Sequence, residues 1–148
     1  MLPLPPQPDS YRIPLIDALK SQLDQILDCQ PLWRVGVLIS VTGILYLATT
    51  STPYPLPASA NDKINHLVAF AELTVVARLA WPRINPLRLV PAVLGFGLLI
   101  EVIQSQLPHR DFSLADVTAD AAGMAIGLLP WPGLRRRAQS RHRPENRV

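Results

Sequence analysis

Apolar residues follow two different patterns along the chain. Leu15, Ile16, Leu19, Leu23, Ile26 and Leu27 recur at three- and four-residue spacing, with Asp17, Lys20, Asp24 and Asp28 on the opposite side. That period predicts a short amphipathic helix over 15–27. From Trp33 onward the apolar residues merge into four continuous runs, Trp33–Thr49, Ile64–Trp81, Leu87–Leu107 and Leu114–Trp131, denoted spans 1 to 4. At 1.5 Å per residue, a helix of about 17–20 apolar residues reaches across a hydrocarbon core about 30 Å thick. The pattern therefore predicts an all-α, integral membrane four-helix bundle preceded by a short amphipathic helix. Spans 2 to 4 carry ionisable side chains, so span 1 is expected to be the most apolar.

Proline marks the connections. Residues 1–14 hold five of the sixteen prolines and read as a solvated arm. The stretch TTSTPYPLPASAND after span 1, the turn Pro82–Pro86 and the stop Pro130-Trp131-Pro132-Gly133 read as loops outside the core. The chain divides into an arm and amphipathic helix (1–32), a four-span domain (33–132) and a tail (133–148). The first long apolar run begins only near Trp33, too late for a secretory signal, and none is expected.

Composition fits this reading. Of 148 residues, 49% are apolar, 6% aromatic and 17% charged, the last well below the roughly 25% usual for soluble proteins. The net charge of +3 is misleading, because residues 134–148 alone carry six Arg and one Glu and the rest of the chain is net acidic. Such a tail sets membrane orientation and meets anionic headgroups, and a nucleic-acid partner is not expected. The single cysteine, Cys29, excludes an intramolecular disulfide and any Cys-cluster zinc site. Arg12, Lys20, Arg34, Arg83, Arg88 and the tail arginines fall on one side of the four spans, against Lys63 and Arg110 on the other. By the positive-inside rule both termini are cytoplasmic and the 1–2 and 3–4 loops face outward.

The same topology gathers the polar residues in one leaflet. Asp62, Lys63 and His66 lie at the outer end of span 2, Glu101 and Gln104 near the outer end of span 3, Arg110 and Asp111 in the outer loop, and Asp116 and Asp120 at the start of span 4. Asp62 and His66, Glu101 and Gln104, and Asp116 and Asp120 are each three or four residues apart, so each pair shares a helix face. Ionisable residues inside a span cost up to about 3 kcal/mol each on insertion scales, and they normally pair or line a wet cavity. Some have a purely structural alternative. Asp62, Lys63 and His66 can cap span 2, and Ser113 with Asp116 can cap span 4. Glu101, deep in an apolar run, requires a partner, with Arg110 or Lys63 expected. Glu72 is placed apart from the cluster, and Arg78 is expected to snorkel to the inner interface.

Ala115, Ala119, Gly123 and Gly127 recur every four residues in span 4 and predict a small-residue packing stripe, with Asp116 and Asp120 beside it facing protein. Gly36, Ser40 and Gly43 repeat the device more weakly in span 1. Nucleophile-elbow, phosphate-loop, His-Glu-x-x-His and dinucleotide motifs are absent. His66, Glu101, Asp116 and Asp120 offer oxygen-rich ligands but one histidine in no recognisable spacing, and neither metal nor cofactor is expected.

The order Asp62-Lys63-x-x-His66, Glu101-x-x-Gln104, Pro108-x-Arg110, Asp116, Gly123 and Gly127 resembles the VanZ-like family of small bacterial membrane proteins, over roughly residues 62–128. Asp120 stands where that family usually has Asn. The resemblance implies a multi-pass protein of the bacterial inner (cytoplasmic) membrane, with a link to glycopeptide (teicoplanin) resistance. With the polar cluster, it leads to the expectation of an envelope protein whose outer pocket binds a lipid or wall-precursor headgroup. Two alternatives belong to other classes: a membrane-embedded acid/base enzyme using Glu101, Asp116 or His66, and a structural subunit docking a membrane protein through residues 15–27.

Overall fold

The computed structural model describes residues 14–50, 58–108 and 110–130. The proline-rich arm, most of the 1–2 loop and the arginine tail lie outside the described residues. Those described form five helices and no strand: α1 (Pro14–Asp28), α2 (Gln30–Thr49), α3 (Ala58–Ala80), α4 (Pro86–Gln104) and α5 (Leu114–Leu128).

Local chemistry sets the boundaries. Cys29 separates α1 from α2, Pro31 occupies the first turn of α2, where a missing N–H costs nothing, and the Trp33 indole N–H donates to the Ile26 carbonyl at 3.1 Å. Asn85 caps α4 by accepting from the Leu87 N–H, again with proline at the first helical turn. Ser113 caps α5, its hydroxyl oxygen accepting from the Asp116 N–H at 3.2 Å. Pro130, lacking an N–H, follows the α5 C-cap, so this helix is 15 residues and shorter than span 4 was expected to be. The start of α3 moves the other way. It begins directly after Pro57 rather than at the first apolar residue, which places Asp62 inside the helix and removes it as a cap.

Two helices are long and apolar enough to cross a membrane, α2 and α4. The more apolar of them is α4, contrary to the expected primacy of span 1: its Leu, Val, Ile and Phe outweigh Arg88 and Glu101, whereas α2 dilutes its run with Gln30, Ser40, Thr42 and Tyr46.

α3 packs against α5 most extensively and against α2, while α4 packs against α5 and α2. Phe70 and Ala77 of α3, Leu89, Val93 and Ile100 of α4 and Met124 of α5 form the core. Their burial removes aliphatic and aromatic surface from solvent at about 25 cal/mol per Å². α2 closes this ring without a single buried residue of its own; Leu38, Ile39 and Tyr46 are each about two-thirds exposed.

Glycines decide the closest approach. A Cβ on Gly123 would collide with the Leu67 carbonyl oxygen, and one on Gly127 would lie 2.6 Å from the Thr74 Cβ. The face of α5 that enters the interior is Asp116, Asp120, Gly123, Met124 and Gly127. Of the expected stripe, Gly123 and Gly127 lie on that face. Ala119 is half-buried and Ala115 exposed, since a strict four-residue repeat drifts around a helix of 3.6 residues per turn. In α2, Gly36 faces Val76 at 3.2 Å from an added Cβ, whereas Gly43 has open space.

Candidate polar site at one end of the helices

The N-terminal turns of α3 and α5 meet the C-terminal turns of α2 and α4 at one end of the molecule. Three helices each bring two positions one turn apart: Asp62 and His66 on α3, Gly97 and Glu101 on α4, Asp116 and Asp120 on α5. They interlock in two layers.

In the deeper layer His66 Nδ1 donates to Asp120 Oδ1 at 2.9 Å. Asp120 is 1% exposed, and its other oxygen lies where a Cβ on Gly97 would come within 2.5 Å. Only glycine at 97 leaves space for that carboxylate. The Phe70 ring occupies the same spot from α3 and stacks on Phe96 with ring centroids 6.0 Å apart.

In the outer layer Arg110 Nη1 donates to Asp62 Oδ2 at 2.7 Å, both side chains 29% exposed. Lys63 Nζ lies 3.5 Å from Asp116 Oδ1, an ion pair too long to satisfy that buried oxygen as a hydrogen bond. Glu101, fully buried, accepts from the Ser113 backbone N–H at 2.9 Å. The expected pairing of Glu101 with Arg110 or Lys63 is therefore corrected: both cations are engaged by aspartates from α3 and α5, and a main-chain donor takes their place. Glu101 Oε1 and Asp120 Oδ2 have no hydrogen-bond partner among the described residues.

Gln104 turns toward α2, donating to the Ala48 carbonyl at 3.1 Å. It lines a cavity of about 380 Å³ between α2, α3 and α4. Asp62, His66 and Arg110 contribute polar groups to its lining, and Ile44, Leu47, Phe70 and Ile100 apolar ones. Glu72, set apart by the sequence reading, lines the same cavity and accepts from Ser40 Oγ at 2.8 Å. A signal existed: Asn65 and Glu72 are seven residues apart, two helical turns, and so share a face. Arg78, at the opposite end of α3, donates to the Gly127 and Leu129 carbonyls at 2.7 and 2.9 Å and caps the C-terminus of α5. Asp111 is exposed and takes no part in the two layers.

The chemistry available here is threefold. His66 is oriented by Asp120 and keeps Nε2 for a further contact. Glu101 and Asp120 present buried oxygens with unused acceptor capacity. Asp62, His66 and Asp116 each offer a ligand atom within 4.8 Å of the others, a spacing compatible with a metal ion.

No family model matches the chain, and no solved structure matches it. An uncharacterized protein of Schizosaccharomyces pombe is 35% identical over 78 residues, covering 50% of this chain and 48% of its own length. The chain thus spans about half the length of the curated relative it matches. These findings overturn the VanZ-like assignment: no family model carries it, and the relative is fungal. The bacterial inner membrane and the link to glycopeptide resistance, which rested on that resemblance, go with it. The motif order misled because none of its elements is specific singly. Asp, His, Glu and Arg at helix ends, with Gly four apart, are what any polar site between close-packed helices requires.

Proposed function

We propose that the protein is a four-span membrane protein whose polar end binds the headgroup of a membrane lipid. The observation that carries this is the cavity of about 380 Å³, which sets apolar Ile44, Leu47, Phe70 and Ile100 beside Asp62, His66 and Arg110, with Glu72 held by Ser40 in the same lining. Such a mixed lining suits a molecule with an acyl or prenyl portion and hydrogen-bonding groups.

Several features support the membrane setting. α2 is 20 residues long and apolar yet buries none of them, which in water would leave a large unprotected apolar face. α3, with 23 residues, reaches about 34 Å, and its charged groups are turned to α2, α5 and the polar end. α5 is short, and its polar residues face protein. Arg34, Arg78, Arg83 and Arg88 lie at the opposite end from the carboxylate cluster, which by the positive-inside rule puts that end and both termini in the cytoplasm. On α1, Leu15, Leu19, Leu23 and Ile26 are half-exposed or more, an apolar face open to lipid or to a membrane partner.

A second reading draws on the His66–Asp120 pair, whose geometry is that of an oriented general base. In it the bound lipid is a substrate. Ala69 lines the cavity, and Ala69→Trp would fill it. Purified into nanodiscs from native membrane, the wild-type protein should enrich one lipid class that Ala69→Trp loses at unchanged melting temperature. Equal lipid profiles for the two proteins would refute the binding reading. A lipid that accumulates in cells carrying His66→Gln, beyond its loss from the purified protein, would favour the enzyme.

A further inference from the structure

We propose that Asp62, His66 and Asp116 form a binding site for one divalent transition-metal cation. Their ligand atoms all lie within 4.8 Å of one another, drawn from two helices that pack most closely of any pair in the molecule. Ligand atoms about 2.1 Å from one ion are about 3.4 Å apart in a tetrahedral shell, so the three must draw together by up to about 1.4 Å to hold one ion, with water completing the shell.

Three further observations point to a cation there. First, the imidazole is prepared for one. His66 Nδ1 stands 2.9 Å from Asp120 Oδ1; with the imidazole donating there, Nε2 keeps its lone pair for a metal, the carboxylate–histidine arrangement found behind metal-bound histidines. Second, the charges do not balance. Four carboxylates, Asp62, Glu101, Asp116 and Asp120, face three basic side chains, Lys63, Arg110 and His66. Third, the imbalance is deepest where water is least. Glu101 is fully buried and Asp120 1% exposed, each with an oxygen that has no hydrogen-bond partner among the described residues. Glu101 is tied to the same end of α5 through the Ser113 N–H, three residues before Asp116. Such groups are costly to bury unless paired or ligating a metal. One imidazole with carboxylates favours Mn²⁺, Fe²⁺ or Zn²⁺ over the all-oxygen ions Mg²⁺ and Ca²⁺.

Lys63 and Arg110 each hold one oxygen of a proposed ligand. They compete with the metal for charge rather than for space, since every carboxylate has a second oxygen. This sets a sign that a merely structural cluster would not show: removing Lys63 should tighten metal binding.

The test uses the full chain in detergent micelles without added lipid, so its outcome is independent of the headgroup reading. Mn²⁺ is titrated and free ion read by its EPR signal. We expect one ion per chain, affinity reduced at least tenfold in His66→Gln and in Asp116→Asn, and increased several-fold in Lys63→Gln. With His109 and His142 replaced by Gln, pulsed EPR of the bound ion should show nitrogen coupling from a single imidazole, a measurement that stands even if the ligand variants do not fold. Failure to bind a stoichiometric ion, affinities unchanged in both ligand variants, or bound Mn²⁺ without nitrogen coupling would each overturn the proposal.

Discussion

Glu101 of α4 takes the backbone N–H of Ser113, the residue that caps α5, at 2.9 Å. In a capping box the acid at the third helical position reaches back to that N–H. Here Asp116 occupies that position but is relieved of the task, and its carboxylate is left for Lys63 and the cluster around His66. Glu101→Ala should strand a buried N–H and lower stability by about 1–3 kcal/mol, whereas Glu101→Gln, which keeps an acceptor oxygen, should cost less. Thermal unfolding of the two variants in detergent checks this; equal losses would mean that charge, not the hydrogen bond, holds the turn.

Arg110 and Asp62 should behave as a coupled pair. A double-mutant cycle on Asp62→Asn and Arg110→Gln should yield a coupling of about 0.5–1.5 kcal/mol, modest because both side chains are partly exposed. The same cycle on Glu101→Gln and Arg110→Gln should be close to additive. Strong coupling in the second cycle would place the guanidinium on the wrong partner.

Gly123→Leu should drive a side chain into the Leu67 main chain and sharply reduce folded protein, while Ala125→Leu, two residues on and exposed, should be tolerated. Fluorescence-detected size exclusion compares the two. Similar monodisperse yields would remove the close α3–α5 contact.

Arg78→Gln should release the Gly127 and Leu129 carbonyls and fray the end of α5. Faster amide exchange over residues 124–129, with exchange at Asp116–Asp120 unchanged, is the expected pattern. Lysine at 78 should restore part of the protection, since its ammonium supplies charge and donors but not the rigid planar geometry of the guanidinium.

The proposed topology makes Asp111 external and Arg83 cytoplasmic. In a Cys29→Ser background, Asp111→Cys should react with an impermeant thiol reagent in intact cells and Arg83→Cys only after lysis. Reversed labelling would turn the polar end toward the cytoplasm.

The helices were legible in the sequence because long apolar runs punctuated by proline leave few other choices. Their ends were less so, since Ala58–Lys63 continues a helix with residues that no apolar count includes. The gathering of Asp62, His66, Glu101, Asp116 and Asp120 at one end followed from spacing and an alternating direction of travel. Who pairs with whom did not, because the choice between Arg110 and the Ser113 N–H for Glu101 is set by the path of the loop between α4 and α5. Gly97 escaped notice for a related reason. Gly95 and Gly97 look alike in sequence, and only the helix rotation sends one toward Asp120 and leaves the other in open space.

Gly97 and Asp120 are therefore not free to change separately over evolutionary time. A methyl group at 97 would stand 2.5 Å from the Asp120 carboxylate and 3.1 Å from the Phe70 ring. A lineage that acquires alanine at 97 must first, or soon after, shorten the side chain at 120, and His66 then loses the group that orients it. Among descendants of this chain, the pair of positions 97 and 120 should covary, and the variants with alanine at 97 should be those in which position 66 has drifted from histidine.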